Sequence, residues 1–165
     1  MITEDHFSLT KDCRFQKMKK YESMLLGALG ATLGIVLLQV LSETSNIALL
    51  VAPFGATFVL VFALPESPLV KPRNIIGGYL IATVTGLVFY QLLGNTPISL
   101  GLAFGISFVL MQLTKTLHPP AGSIPLLIMF SKPDWSYVIT PILVGVILIL
   151  VYEKFYSFVL KKFKS

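Results

Sequence analysis

Six long apolar runs, set apart by short stretches that carry charges and prolines, dominate this sequence. They cover approximately residues 21–42, 46–64, 74–93, 97–114, 119–131 and 137–160. A soluble core helix carries an apolar stripe and a polar opposite face, and these runs lack that opposite face. All but the fifth approach the roughly 20 residues a helix needs to cross the hydrocarbon core. Composition agrees, since 55% hydrophobic residues, 13% charged residues and a mean hydropathy of +0.80 leave too little polar surface to wet a soluble globule. The expected fold is an all-α integral membrane protein.

Residues 1–20 form a basic leader in which Lys11, Arg14, Lys17, Lys19 and Lys20 alternate with Phe7, Leu9, Phe15 and Met18. It reads either as an ordinary cytoplasmic leader or as a short interfacial helix on anionic headgroups. The first apolar run is long enough to span without cleavage, so no signal peptide is expected. The single Cys13 excludes an internal disulfide and a cysteine-based metal cluster, and no metal or cofactor is expected. If all six runs of the membrane domain, 21–160, cross, then the leader, Lys71, Arg73, Lys115 and the basic tail 161–165 share one side, leaving only Lys132 opposite. The positive-inside rule then places both termini in the cytoplasm of a multi-pass cell-membrane protein. A rival count, with segments two and five re-entrant, scatters those charges over both sides. The net charge of +5 belongs to these loops and tails, and nucleic-acid binding is not indicated.

The sequence also repeats faintly. Setting Pro53-Phe54-Gly55-Ala56 over Pro120-Ala121-Gly122-Ser123, with one gap, brings Pro65-Glu66 over Pro133-Asp134 and Gly77 over Gly145. Each half reads as a span, a Pro/Gly-broken segment, a Pro-acidic loop and another span. Three crossings per half invert the second half, a pattern of secondary transporters that hold substrate where the breaks meet.

Proline lacks an amide hydrogen and disfavours helix in the residue before it, so Pro53, Pro119 and Pro120 should interrupt helices inside the membrane. A half-helix beginning after each break would present its positive dipole end and unpaired N–H groups to a cavity, a seat for an anion. The candidate binding set is Pro53, Phe54, Gly55, Ala56 and Thr57 with His118, Pro119, Pro120, Ala121, Gly122 and Ser123. Proline kinks that only shape helix packing are the alternative. An ionisable His118 beside a break points to a relay or to a cap, and Lys115 to a snorkelling anchor. Arg73 and Asn74, at the start of the third span, mark a pathway entrance together with Lys115, or serve the charge bias alone. Gly27, Gly30 and Gly34 offer close helix contact, within a protomer or between protomers. The spans hold no paired carboxylates and no Ser/His/Asp set, so an enzyme is not expected.

These residues carry a resemblance. His118-Pro119-Pro120-Ala121-Gly122, Ala52-Pro53-Phe54-Gly55-Ala56 and Pro65-Glu66-Ser67-Pro68…Pro72-Arg73-Asn74 together resemble the HPP family of integral membrane proteins, over about residues 21–160. The family is usually described with four predicted spans and includes plastid and cyanobacterial members implicated in nitrite transport. The resemblance implies a small-anion transporter or channel. A non-transporting membrane scaffold, or a subunit of a larger membrane complex, is the alternative. Six short spans make a thin bundle in lipid, so a homo-oligomer is expected.

Overall fold

A computed structural model describes the backbone of residues 4–164 and the side chains of residues 21–162. Every regular element among these residues is helical. The chain runs through α1 (Glu4–Ser45), α2 (Ala52–Ala63), α3 (Pro72–Leu93), α4 (Pro97–Leu113), α5 (Ile124–Ser131) and α6 (Val144–Lys164). Tight 3₁₀ turns occupy Pro68–Val70, Pro119–Ser123 and Trp135–Val138. The backbone of the leader from Glu4 onward continues into α1. Whether its apolar and basic side chains suit an interface concerns atoms outside the described residues.

Three helical stretches are long and apolar enough to cross a membrane, Tyr21–Ser45, Pro72–Leu93 and Trp135–Lys162, and three shorter ones are Ala52–Ala63, Pro97–Leu113 and Pro119–Ser131. The expectation that only the fifth segment falls short is therefore corrected. Segment two has a helix of only 12 residues. Its first residues run extended from a corner held by Ser42, whose hydroxyl donates to the Ile47 carbonyl at 2.8 Å and accepts from the Leu49 N–H at 3.1 Å. An extended residue advances about 3.3 Å against about 1.5 Å in a helix, so this segment covers depth with few helical turns.

The same local order occurs twice. A helix ends at a residue of positive φ (Asn46, then Lys115), and the chain continues extended to Val51 in the first case and His118 in the second. A proline within the first two positions then opens the next helical stretch. That position suits proline, because the missing N–H is one the helix start leaves unpaired anyway. A capped turn follows: Ser67 accepts from the Leu69 N–H at 3.3 Å, and Asp134 from the Ser136 N–H at 2.8 Å. The hydrogen bonds from Ser136 hold the Asp134 carboxyl below its usual range. A long helix closes each set.

Packing fixes the helix directions. Gly30 lies against Phe62, and Gly34 against Phe58, so α1 and α2 run antiparallel. Tyr152 donates to the Gly30 carbonyl at 2.8 Å and Tyr156 to the Leu26 carbonyl at 2.7 Å, which sets α6 antiparallel to α1 as well. The small faces of α1 are thus filled within the protomer, by a wall of Phe58, Phe62, Tyr152 and Tyr156 whose neighbouring rings lie 5.3–6.3 Å apart. In the other half α4 packs on α3 and α5, Ser99 donating to the Phe89 carbonyl at 3.0 Å. α3 and α6 meet in the middle around buried Phe54, Tyr79, Ile142 and Val146.

Candidate functional site

Thr57, on α2, reaches the extended residue His118 before the second proline start. Its hydroxyl lies 2.9 Å from His118 Nε2 and 2.8 Å from the Tyr79 hydroxyl on α3. His118 Nδ1 lies 2.9 Å from the Leu69 carbonyl oxygen. A carbonyl only accepts, so Nδ1 carries the proton and donates, and Nε2 of the neutral ring accepts. The Thr57 proton therefore points to Nε2, with the Pro53 carbonyl a longer second acceptor at 3.3 Å, and Thr57 accepts from Tyr79. One chain of donors runs from Tyr79 through Thr57 and His118 to Leu69, tying α2, α3 and both connecting segments together. Thr57, Tyr79 and His118 are all wholly buried. Side chain and backbone approach closely here, since a Cβ on Gly78 would stand 2.8 Å from His118 Cβ.

The two proline starts do not meet head-on. α2 and the 119–131 stretch lie side by side and antiparallel, with Ala56 next to Ser123 at the crossing. The expected binding set is consequently divided. Phe54, Thr57, His118 and Ala121 face the core, where Pro53 and Pro120 are also buried. Ala56, Pro119 and Ser123 line an apolar surface groove of 610 Å³, and Ala56 and Ser123 also line a second groove of 320 Å³. The space beside Gly55 is open, and beside Gly122 only Phe104 comes near.

The amides behave differently from the expectation. Pro119 and Pro120 have no hydrogen to offer, and the Ala121 N–H is bonded to the His118 carbonyl at 3.0 Å. At the first start the Phe54 N–H is likewise taken, by Val51 at 2.9 Å. What converges is side-chain hydroxyl and imidazole rather than free backbone N–H. Among the described residues no three His, Cys, Asp or Glu side chains are grouped to hold a metal ion.

The entrance residues gather at one end of the bundle. Arg73 donates to the Thr114 carbonyl at 2.9 Å and Asn74 to the Leu117 carbonyl at 2.9 Å, so both brace the turn that leads to His118. Lys115 is exposed on that turn. Nearby, a cavity of 280 Å³ opens among Val61, Pro65, Glu66, Lys71, Glu153 and Lys154. Val61 is one helical turn, about 6 Å, beyond Thr57 on the same face of α2. Sequence reading missed Tyr79 and the Leu69 carbonyl. The available signal was a tyrosine in mid-span, whose hydroxyl needs a partner when buried.

Residues 16–163 match the family described as HPP, transmembrane region. The chain belongs to the HPP family. The family's tripeptide is split by the fold: His118 closes the buried donor chain, while Pro119 faces the outer groove. Two Dictyostelium discoideum proteins, both named only as transmembrane proteins, are similar. One is 34% identical over 114 residues, 64% of this chain and 40% of the relative. The other is 32% identical over 130 residues, 71% of this chain and 42% of the relative. This HPP chain thus spans less than half the length of these curated relatives. No solved structure matches it.

Proposed function

We propose that this HPP protein is a passage for a small inorganic anion, most simply nitrite, through a bundle that crosses the cell membrane six times with both termini in the cytoplasm. The helix directions support six crossings, because α2 runs back along α1 from its Ser45 end toward Gly27, where Phe62 lies. Charge supports the orientation: Lys71, Arg73, Lys115, Lys154, Lys161 and Lys162 belong to one end and Lys132 to the other.

Two inverted three-segment repeats are supported by three exchanges. Matching Pro53 with Pro120 turns the α1–α2, α1–α6 and α2–α6 contacts into α4–α5, α4–α3 and α5–α3, all of which occur. The same matching turns Ala52, Pro53, Leu126 and Leu127 of one outer groove into Pro119, Pro120, Val59 and Leu60 of the other. Ala56 and Ser123 match each other and lie side by side, as residues at a two-fold axis must.

The observation that carries the anion reading is the Tyr79–Thr57–His118 donor chain, buried where the broken segments cross and one turn beyond the Val61 floor of the charged vestibule. Among the described residues no fully buried side chain is acidic, so the buried polar set consists of neutral groups and carries no charge that would repel an anion. The candidate set from Pro53 to Thr57 and His118 to Ser123 surrounds this point, with Arg73, Asn74 and Lys115 at the entrance. A homo-oligomer in lipid completes the reading, since so thin a bundle leaves little protein around a path.

One observation favours the scaffold instead: both His118 nitrogens are already engaged by the protein. Uptake into proteoliposomes decides. His118→Ala should reduce nitrite uptake at least tenfold while the protein stays monodisperse. Unchanged uptake in both His118→Ala and Gly122→Leu would remove the site. A scaffold would also show no thermal shift with nitrite, nitrate, chloride or formate, whereas a ligand bound only by the folded state must raise its stability.

A further inference from the structure

The repeat makes the two ends of the bundle comparable position by position, and they are not in the same state. At the basic end Val61, Glu153 and Lys154 stand apart around the 280 Å³ vestibule, roofed by the Pro65–Pro72 loop. With the matching used above, their counterparts at the opposite end are Ile128, Thr85 and Gly86, and the counterpart loop is 133–140. There the residues are closed on one another. A Cβ on Gly86 would stand 2.8 Å from Ile128 Cδ1 and 3.1 Å from Pro125 Cα, and Thr85 and Ile128 are buried. Lys154, on the rim of the vestibule, corresponds to Gly86, where the close approach of Ile128 and Pro125 leaves no room for a side chain.

An inverted repeat makes such an asymmetry exchangeable. If each half can adopt the arrangement of the other, the bundle has a second conformation with the vestibule shut and its counterpart open. We propose that this chain has a second mouth, bounded by Thr85, Gly86, Ile128 and the 133–140 loop, which opens to the side opposite the basic loops when the first vestibule closes. This rests on the six-crossing, inverted-repeat reading. The two mouths flank the Thr57–His118 cluster, so the cluster is reached from one side at a time. The Gly86–Ile128 contact is the outer gate. It is built of apolar surface that separates without leaving a buried polar group unpaired.

The test uses the full chain with Cys13→Ser, in membrane vesicles of both orientations. A charged, membrane-impermeant thiol reagent should label Val70→Cys only from the basic side and Thr85→Cys only from the opposite side. Val138→Cys, on the loop of the same mouth, should behave as Thr85→Cys and guards against a folding defect in the buried variant. The pair Gly86→Cys and Ile128→Cys provides a lock. A Cβ at Gly86 lies 3.6 Å from Ile128 Cβ, inside the range of about 3.5–4.5 Å that a disulfide spans. Oxidising that pair should cut labelling of Thr85→Cys at least tenfold and leave Val70→Cys reactive, and reduction should reverse it. Thr85→Cys and Val138→Cys both unreactive from the far side, or labelling unaffected by the lock, would overturn the second mouth. Nitrite flux in the same vesicles separates the two claims. Labelling as described without flux removes the substrate and leaves the mouth, while flux that survives the lock removes the mouth and leaves the substrate.

Discussion

Gly145→Ala should destabilise the bundle by about 1–3 kcal/mol, although alanine is the better helix former by about 1 kcal/mol. The reversal of sign comes from packing. A Cβ at this position on α6 would stand 2.6 Å from Phe54 Cζ and 3.2 Å from the Leu49 carbonyl oxygen. Phe54 is fully buried, with its ring edge-to-face on Tyr79 at 5.3 Å, so it has no free volume to retreat into. Moving it would also press on the residue that heads the Tyr79–Thr57–His118 chain. Phe54→Leu should therefore accept the extra methyl group, and the double variant should lie within about 1 kcal/mol of Phe54→Leu alone. Unfolding of the four proteins in detergent, taken as a double-mutant cycle, measures this. Strict additivity would mean that the Leu49 carbonyl, and not the ring, is the wall.

Much of this fold was legible in the residues. Pro53, Pro72, Pro97 and Pro119 each sit at a helix start because a missing amide hydrogen and a fixed φ leave proline few other places in a span. The geometry with which the second and fifth segments cross was not legible. Two matched breaks suggested amide groups facing one cavity, whereas the segments pass each other and the prolines themselves remove the hydrogens in question. Segment length misled for a related reason. The run 46–64 is apolar throughout, but hydropathy does not record that its first residues are extended, which depends on Ser42 reaching back to Ile47 and Leu49.

Glycine and tyrosine show where pattern reading stops. Gly30 and Gly34 announce a close approach without naming the neighbour, and only the fold reveals Tyr152, Tyr156, Phe58 and Phe62 in that space. Tyr79 is grouped with the hydrophobic residues in the composition and does not interrupt its apolar run. Its hydroxyl matters because a residue 22 positions earlier and another 39 positions later, Thr57 and His118, arrive beside it through tertiary packing.

The middle member of that chain gives the second large effect. Thr57→Val keeps the shape of the side chain and removes the bridging hydroxyl, which leaves both the Tyr79 O–H and His118 Nε2 without a partner. Each buried polar group left unsatisfied costs about 1–3 kcal/mol, so with two stranded the substitution should cost about 2–6 kcal/mol. Tyr79→Phe removes the first donor and the group that needed satisfying, and Thr57 still donates to His118. Its cost should be about 1 kcal/mol or less. The order is the test, because a view in which the three residues only fill space predicts small and similar losses. Adding Tyr79→Phe to Thr57→Val should recover part of the loss, since it deletes one of the two stranded groups, and the cycle should give a coupling of about 1 kcal/mol. If both single substitutions cost the same and the pair is additive, the hydroxyl of Thr57 is not the bridge. The donor chain that the anion reading depends on would then have to be redrawn around His118 and Leu69 alone.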